Sequence, residues 1–219
     1  MYGILKSSVA VNSLTGNLDE LDCVFTAPLQ ITSNQPSFAN DTINLKRVTS
    51  VTNIQRWELS AGIMPTETSH ELLIHTILNA HHTPFYIRMP QIYRRGVYEF
   101  DNNIAIDVKA QALAGTSTIT IDDPTGLSDW GTRILPLGEF IRFANHSKVY
   151  LVTNSVLSSG QNIITIAPKL VITVPANTDV FYDKRVAMRA YYDKDTNLGL
   201  SYQDGILTDI ITVRMVEAL

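Results

Sequence analysis

Apolar and polar residues alternate along most of this chain. Runs rich in Val, Ile, Thr, Tyr and Phe recur between turn signals, the pattern of strands with one buried face. They cover 42–51, 54–61, 84–89, 117–121, 139–143, 149–153, 162–167, 186–192 and 210–216. Asp123-Pro124-Thr125-Gly126, Ser158-Ser159-Gly160 and Asp204-Gly205 punctuate them as turns. One stretch breaks the period of two: PTETSHELLIHTILNAHH, residues 65–82. Leu73, Ile74, Ile77 and Leu78 fall on one face at helical spacing. Thr68 and Glu71 match a capping box, and Pro84 ends the pattern. The reading is a mainly β chain, with one helix over about 66–82 laid on a sheet by its apolar face.

The texture changes between 97 and 184. Short strands come at intervals of roughly ten residues, with many Gly, Pro, Asp and Ser turns, as in a small barrel or sandwich. Longer strands then resume in RVAMRAYYD and TDIITVRMVEAL. A texture that changes and returns predicts an inserted domain over 97–184 within a discontinuous one, 1–96 with 185–219. The junctions would fall near Arg94-Arg95-Gly96 and Asp183-Lys184.

Composition narrows the functional classes. Charged residues make up 17% of the 219, a low share that leaves neutral surface easy to desolvate in a permanent interface. Net charge is −4 and no basic block occurs, so sequence-independent phosphate binding has no footprint. Cys23 is the single cysteine and forms no intrachain disulfide. No run approaches the ~20 apolar residues of a membrane helix, and the first residues lack the apolar core of a signal peptide. The expectation is a protein made in a reducing cytosol and used there, or packaged from it.

Candidate chemistry is sparse. Of the five histidines His70, His75, His81, His82 and His146, His70 and His75 lie five apart and His75 and His82 seven apart, but position 74 is Ile where an H-E-x-x-H would need its second His, so a solvated helix face fits better than a metal site. Asp122-Asp123 are neighbours, and adjacent strand residues face opposite ways, so a turn entry before Pro124 fits better than a catalytic pair. No nucleophile elbow appears, Cys23 has no activating context, and Gly138, Gly160 and Gly205 are isolated. The Arg94-Arg95 and Lys184-Arg185 pairs read as solvated charges at the domain junctions, with interface anchors as the alternative. No catalytic residue, cofactor site or metal site is expected.

The stretch 138–154, GEFIRFANHSKVYLVTN, is the most informative. Two strands flank the polar knot Asn145-His146-Ser147-Lys148. The knot reads as a hairpin turn in which Asn145 and Ser147 bond the local backbone. His146 has no acidic or nucleophilic neighbour, so a turn-fixing hydrogen bond is its expected role. Alternation puts Phe140 and Arg142 on one face. Aromatic and basic residues interleaved in this way could bind an extended ligand, which makes Phe140, Arg142, Lys148 and Tyr150 a candidate binding face.

With its continuation to Leu170, this stretch resembles the inserted domain of distal tail proteins of long-tailed bacteriophages (siphophages), the kind with an OB-like insertion. The pattern runs through Gly138-Glu139, the strand 140–143, His146-Ser147-Lys148-Val149-Tyr150, the turn 158–160, and a strand closing on Pro168 and Leu170. Arg56-Trp57-Glu58-Leu59-Ser60, the 65–82 segment and the run from Tyr86 to Tyr93 follow in the same order as that family's strand, helix and strand. The resemblance covers roughly 43–219. It implies a β-sandwich with one packed helix, carrying an OB-like β-barrel that points outward. Six copies would form a ring at the tail tip of the virion, assembled in the host cytoplasm. The ring would join the tail tube protein to the baseplate hub, with tail fibre or collar proteins as further contacts. DNA would pass through the lumen without being recognised, and no membrane would be entered. The alternative is a module that binds host carbohydrate through the barrel. A tail-tip hydrolase ranks last, and the protein is read as no enzyme.

Overall fold

A computed structural model describes residues 4–5, 23–41, 43, 47–51, 54–65, 82–91, 105–122, 135–158, 161–182, 185–194, 202–204, 206–207 and 211–219. The chain is mainly β, as its alternation predicts. The described strands are β1 (Cys23–Asn34), β2 (Ser37–Asp41), β3 (Arg47–Val51), β4 (Arg56–Pro65) and β5 (Phe85–Arg88). They continue with β6 (Thr118–Ile121), β7 (Phe140–Phe143), β8 (Val149–Ser158), β9 (Gln161–Ala167) and β10 (Val180–Phe181). The last are β11 (Ala187–Tyr192), β12 (Tyr202–Gln203), β13 (Ile206–Leu207) and β14 (Ile211–Glu217). Residues 66–81 of the helix expected over 66–82 and the junctions near 94–96 and 183–184 lie outside this description; His82 is described, as an exposed turn residue.

Strands from the two ends of the chain make one antiparallel sheet, in the order β1-β4-β14-β11-β5. Parity assigns its faces. Trp57, Leu59 and Ala61 on β4 share a side with Val213 and Met215 on β14 and with Met188, Ala190 and Tyr192 on β11. Most of these side chains form one core with Phe85, Ile87 and Met89. Burying such side chains at about 25 cal/mol per Å² of apolar area is what holds a sheet flat against its neighbour. Beyond β5 the edge is covered: Ile4 bridges Ile87, and the Leu5 N–H donates to the Tyr86 carbonyl at 2.8 Å.

The middle of the chain forms a second antiparallel sheet, β10-β7-β8-β9-β6. Its two edges are joined by residues 106–109. The Val108 N–H donates to the Thr178 carbonyl, and the Val180 N–H to the Ile106 carbonyl. On the other side the Lys109 N–H reaches the Thr120 carbonyl, and the Asp122 N–H the Asp107 carbonyl. The sheet therefore closes on itself around Ile106, Val108, Ile119, Ile121, Ile141, Phe143, Val152, Ile164, Ile166 and Val180.

Beyond the first sheet, β2 and β3 pair among the described residues only with each other, and follow on in the chain from the Asn34–Arg56 end of the β1/β4 pair. All five residues of β2 are exposed, and so are Arg47 to Ser50 of β3. Two turn expectations fit: Ser158 pairs with Gln161, and β12 and β13 reverse at Asp204, whose φ is 52°.

Candidate functional site: a buried polar seam between the two sheets

The hairpin predicted at 138–154 forms, with β7 and β8 paired Phe140 to Leu151 and Arg142 to Val149. Its position is not the expected one. Strand β7 is buried at every residue, because both cores claim it. Ile141 and Phe143 belong to the closed-barrel core, whereas Phe140 and Val149 belong to the core of the first sheet. The proposed binding face is corrected accordingly. Phe140 is 8% exposed, Arg142 1%, Lys148 2% and Tyr150 0%, so these four offer no surface to a ligand. Arg142 instead lies over the Phe181 ring, 4.8 Å from its centroid, on the strand paired beside it.

Lys148 reaches across to the first sheet. Its ammonium forms an ion pair with Glu217 near the end of β14, and both side chains are essentially inaccessible. The same nitrogen donates to the Gln55 carbonyl at 3.0 Å and to Gln55 Oε1 at 2.8 Å. An ammonium has three protons, and all three have acceptors. Both oxygens of Glu217 are engaged as well. Its Oε1 accepts from the Val149 N–H at 2.9 Å, and its Oε2 accepts from Lys148 and from the Trp57 N–H at 3.0 Å. Burial pushes the Lys148 ammonium below the usual lysine range, and Glu217 opposes that shift.

Two more side chains complete the seam. Trp57 Nε1–H donates to the Val149 carbonyl at 2.8 Å, and its ring meets Phe140 edge-on at 5.4 Å. Gln91 acts as a substitute strand for Phe140. Its Oε1 accepts the Phe140 N–H at 2.8 Å and its Nε2–H donates to the Phe140 carbonyl at 3.1 Å. Gln55 Nε2–H continues outward to Ser33 Oγ on β1, at 3.0 Å. Gln55, Gln91 and Glu217 escaped the reading of the sequence. A signal for two of them was present: Glu217 shares parity with Val213 and Met215 on the buried side of β14, and Gln55, just before β4, continues the parity of Trp57 and Leu59.

The knot itself is a turn, with the His146 N–H donating to the Phe143 carbonyl at 3.3 Å. His146 does fix it by hydrogen bonds, through Nδ1 to Asn145 Oδ1 at 2.7 Å and Nε2 to Tyr150 Oη at 2.8 Å. Asn145 does not bond the local backbone through its amide; Nδ2–H crosses to the Thr173 carbonyl at 3.1 Å. Burial, helped by Arg142 and Lys148, pulls the imidazole down to about 4, so it is neutral at pH 7.

Chemically, the seam binds its own chain. Its charged and amide groups are spent on one another, and it holds no free nucleophile or base. Of the histidines weighed as ligands, His82 is exposed, while His70, His75 and His81 fall outside the described residues. Asp122 joins the barrel closure through its main chain, and Asp123 lies outside the description. Among the described residues, no three His, Cys, Asp or Glu side chains gather where they could hold a metal ion. A scan against protein-family models finds no match for this chain, and a search of curated proteins finds no significant relative.

Proposed function

We propose that this chain is a structural subunit of a phage tail tip: a distal tail protein whose six copies close into a ring between the tail tube protein and the baseplate hub. One observation carries the reading. The β2–β3 ribbon stands outside both cores and exposes Phe38 at 71%, Val48 at 53% and, at its tip, all of Ile43. A two-stranded ribbon is marginal in water unless something packs on it. Apolar side chains held out on such an arm suit a permanent contact with a neighbouring copy. The seam adds support, because a ring that carries outward domains needs each one at a fixed angle, and saturated buried hydrogen bonds resist rotation.

In this reading the closed barrel is OB-like and points outward, and a helix over about 66–82 completes the sandwich. DNA crosses the lumen without recognition, the subunit enters no membrane, and no cofactor or catalytic group is required. Tail fibre or collar proteins are further contacts. The rival reading, host-carbohydrate binding by the barrel, loses the face it relied on, since Phe140, Arg142, Lys148 and Tyr150 are buried. Native mass spectrometry of the purified chain, with negative-stain images of tails, tests the proposal. A closed ring is expected, and a stable monomer that also fails to enter tails refutes it.

A further inference from the structure

The hydrogen bonds around His146 form a chain with only one consistent direction. The Val171 N–H can only donate, and it donates to Tyr150 Oη at 3.2 Å. Tyr150 is fully buried, so its own hydroxyl proton is left to point at His146 Nε2, 2.8 Å away. Nε2 is then a bare acceptor, and the single imidazole proton sits on Nδ1, donated to Asn145 Oδ1. Asn145 Nδ2–H closes the circuit on the Thr173 carbonyl. The clasp thus begins and ends on one segment, residues 171–173.

That segment is anchored on both flanks by main-chain bonds. The Gly115 N–H meets the Leu170 carbonyl and the Leu170 N–H the Thr116 carbonyl on one side; Ala112 and Val174 exchange both bonds on the other. Between them, the bonds to the segment among the described residues are the two made by the clasp and one from the Ala114 N–H to Thr173 Oγ1. The segment holds Val171 and Ile172 out in solvent, 41% and 50% exposed.

We propose that the neutral His146 is an acid-sensitive clasp, which holds the 171–173 segment in place and lets it go when the imidazole takes a second proton. With Nε2 protonated, Tyr150 receives two donors and its own buried proton has no acceptor, which carries the cost of an unsatisfied polar group. The new charge also faces Arg142 on β7 and Lys148 in the knot, both cationic. Glu217 of β14, the carboxylate next to this cluster, is already bound to Lys148, Val149 and Trp57. The 171–173 segment contributes no titratable side chain.

Amide hydrogen exchange on the full chain tests this, with protection factors corrected for the intrinsic pH dependence and Ile164 of β9 as reference. In the native chain, Val171 protection should fall at least tenfold between pH 7 and pH 4 while Ile164 stays protected. His146→Gln offers a neutral acceptor and donor at both pH values and should keep Val171 protected throughout. Tyr150→Phe should lose the protection at both. Unchanged Val171 protection in the native chain, an equal loss at Ile164, or a His146→Gln variant that responds like the native chain would each overturn the clasp.

Discussion

Lys148 shows how the buried seam constrains single residues. Removing one member of a buried ion pair leaves the other charge without compensation and costs about 3–5 kcal/mol. Lys148→Met and Glu217→Gln are each expected to lower stability by roughly that amount in urea titrations. Replacing both with Met and Leu should recover only part of the loss: the desolvation cost of two charges disappears along with their attraction, but the Val149 and Trp57 N–H groups lose their acceptor. Gln91→Ala strands the Phe140 N–H and carbonyl and should cost about 1–3 kcal/mol. His146 contributes a pH dependence whose sign is fixed. Its folded value, about 4, lies below the ordinary 6.5, so the unfolded chain binds more protons between the two. That contribution to stability is complete above about 6.5 and declines as pH falls toward 4; in His146→Gln it should vanish. At this scale the sequence was half legible. The knot's role as a turn could be read from Asn, His and Ser between two strands. The burial of Lys148 could not, since nothing in its neighbours announces a carboxylate 69 residues away.

At the scale of elements, the long alternating strands were legible and the first ones were not. β1 was missed because Pro28 lies within it, where the register against β4 shifts between Thr26 and Gln30. A proline cannot donate to the ladder, so such a strand reads as loop from its composition and survives only through the irregularity. β2 was missed because a fully exposed ribbon has no buried face to impose alternation. The ribbon's exposure makes a sharp prediction. Phe38→Ser with Val48→Ser touches no core, so the purified chain should keep its stability within about 0.5 kcal/mol. The same double variant should lose assembly in native mass spectrometry. What the sequence did not announce is the piece that closes the second sheet: residues 106–109 are too short to look like a strand, and they matter only because both sheet edges reach them.

For the molecule as a whole, the seam joins one unit built from both ends of the chain to another built from its middle. Glu217 and Lys148 tie the final strand to the hairpin at the centre of the barrel. Calorimetry of the native chain should therefore show one cooperative transition, and Lys148→Met should separate it into two. The mainly β character was legible in the alternation, but not the desolvated polar contact between the two sheets; that depends on pairs of residues too far apart in the chain for any local pattern to connect. Whether the chain is the ring component proposed above is decided most directly by native mass spectrometry of the isolated protein alongside class averages of intact tails. A closed hexamer, seen again at the tail tip, is the predicted result. A stable monomer absent from the tails would contradict it.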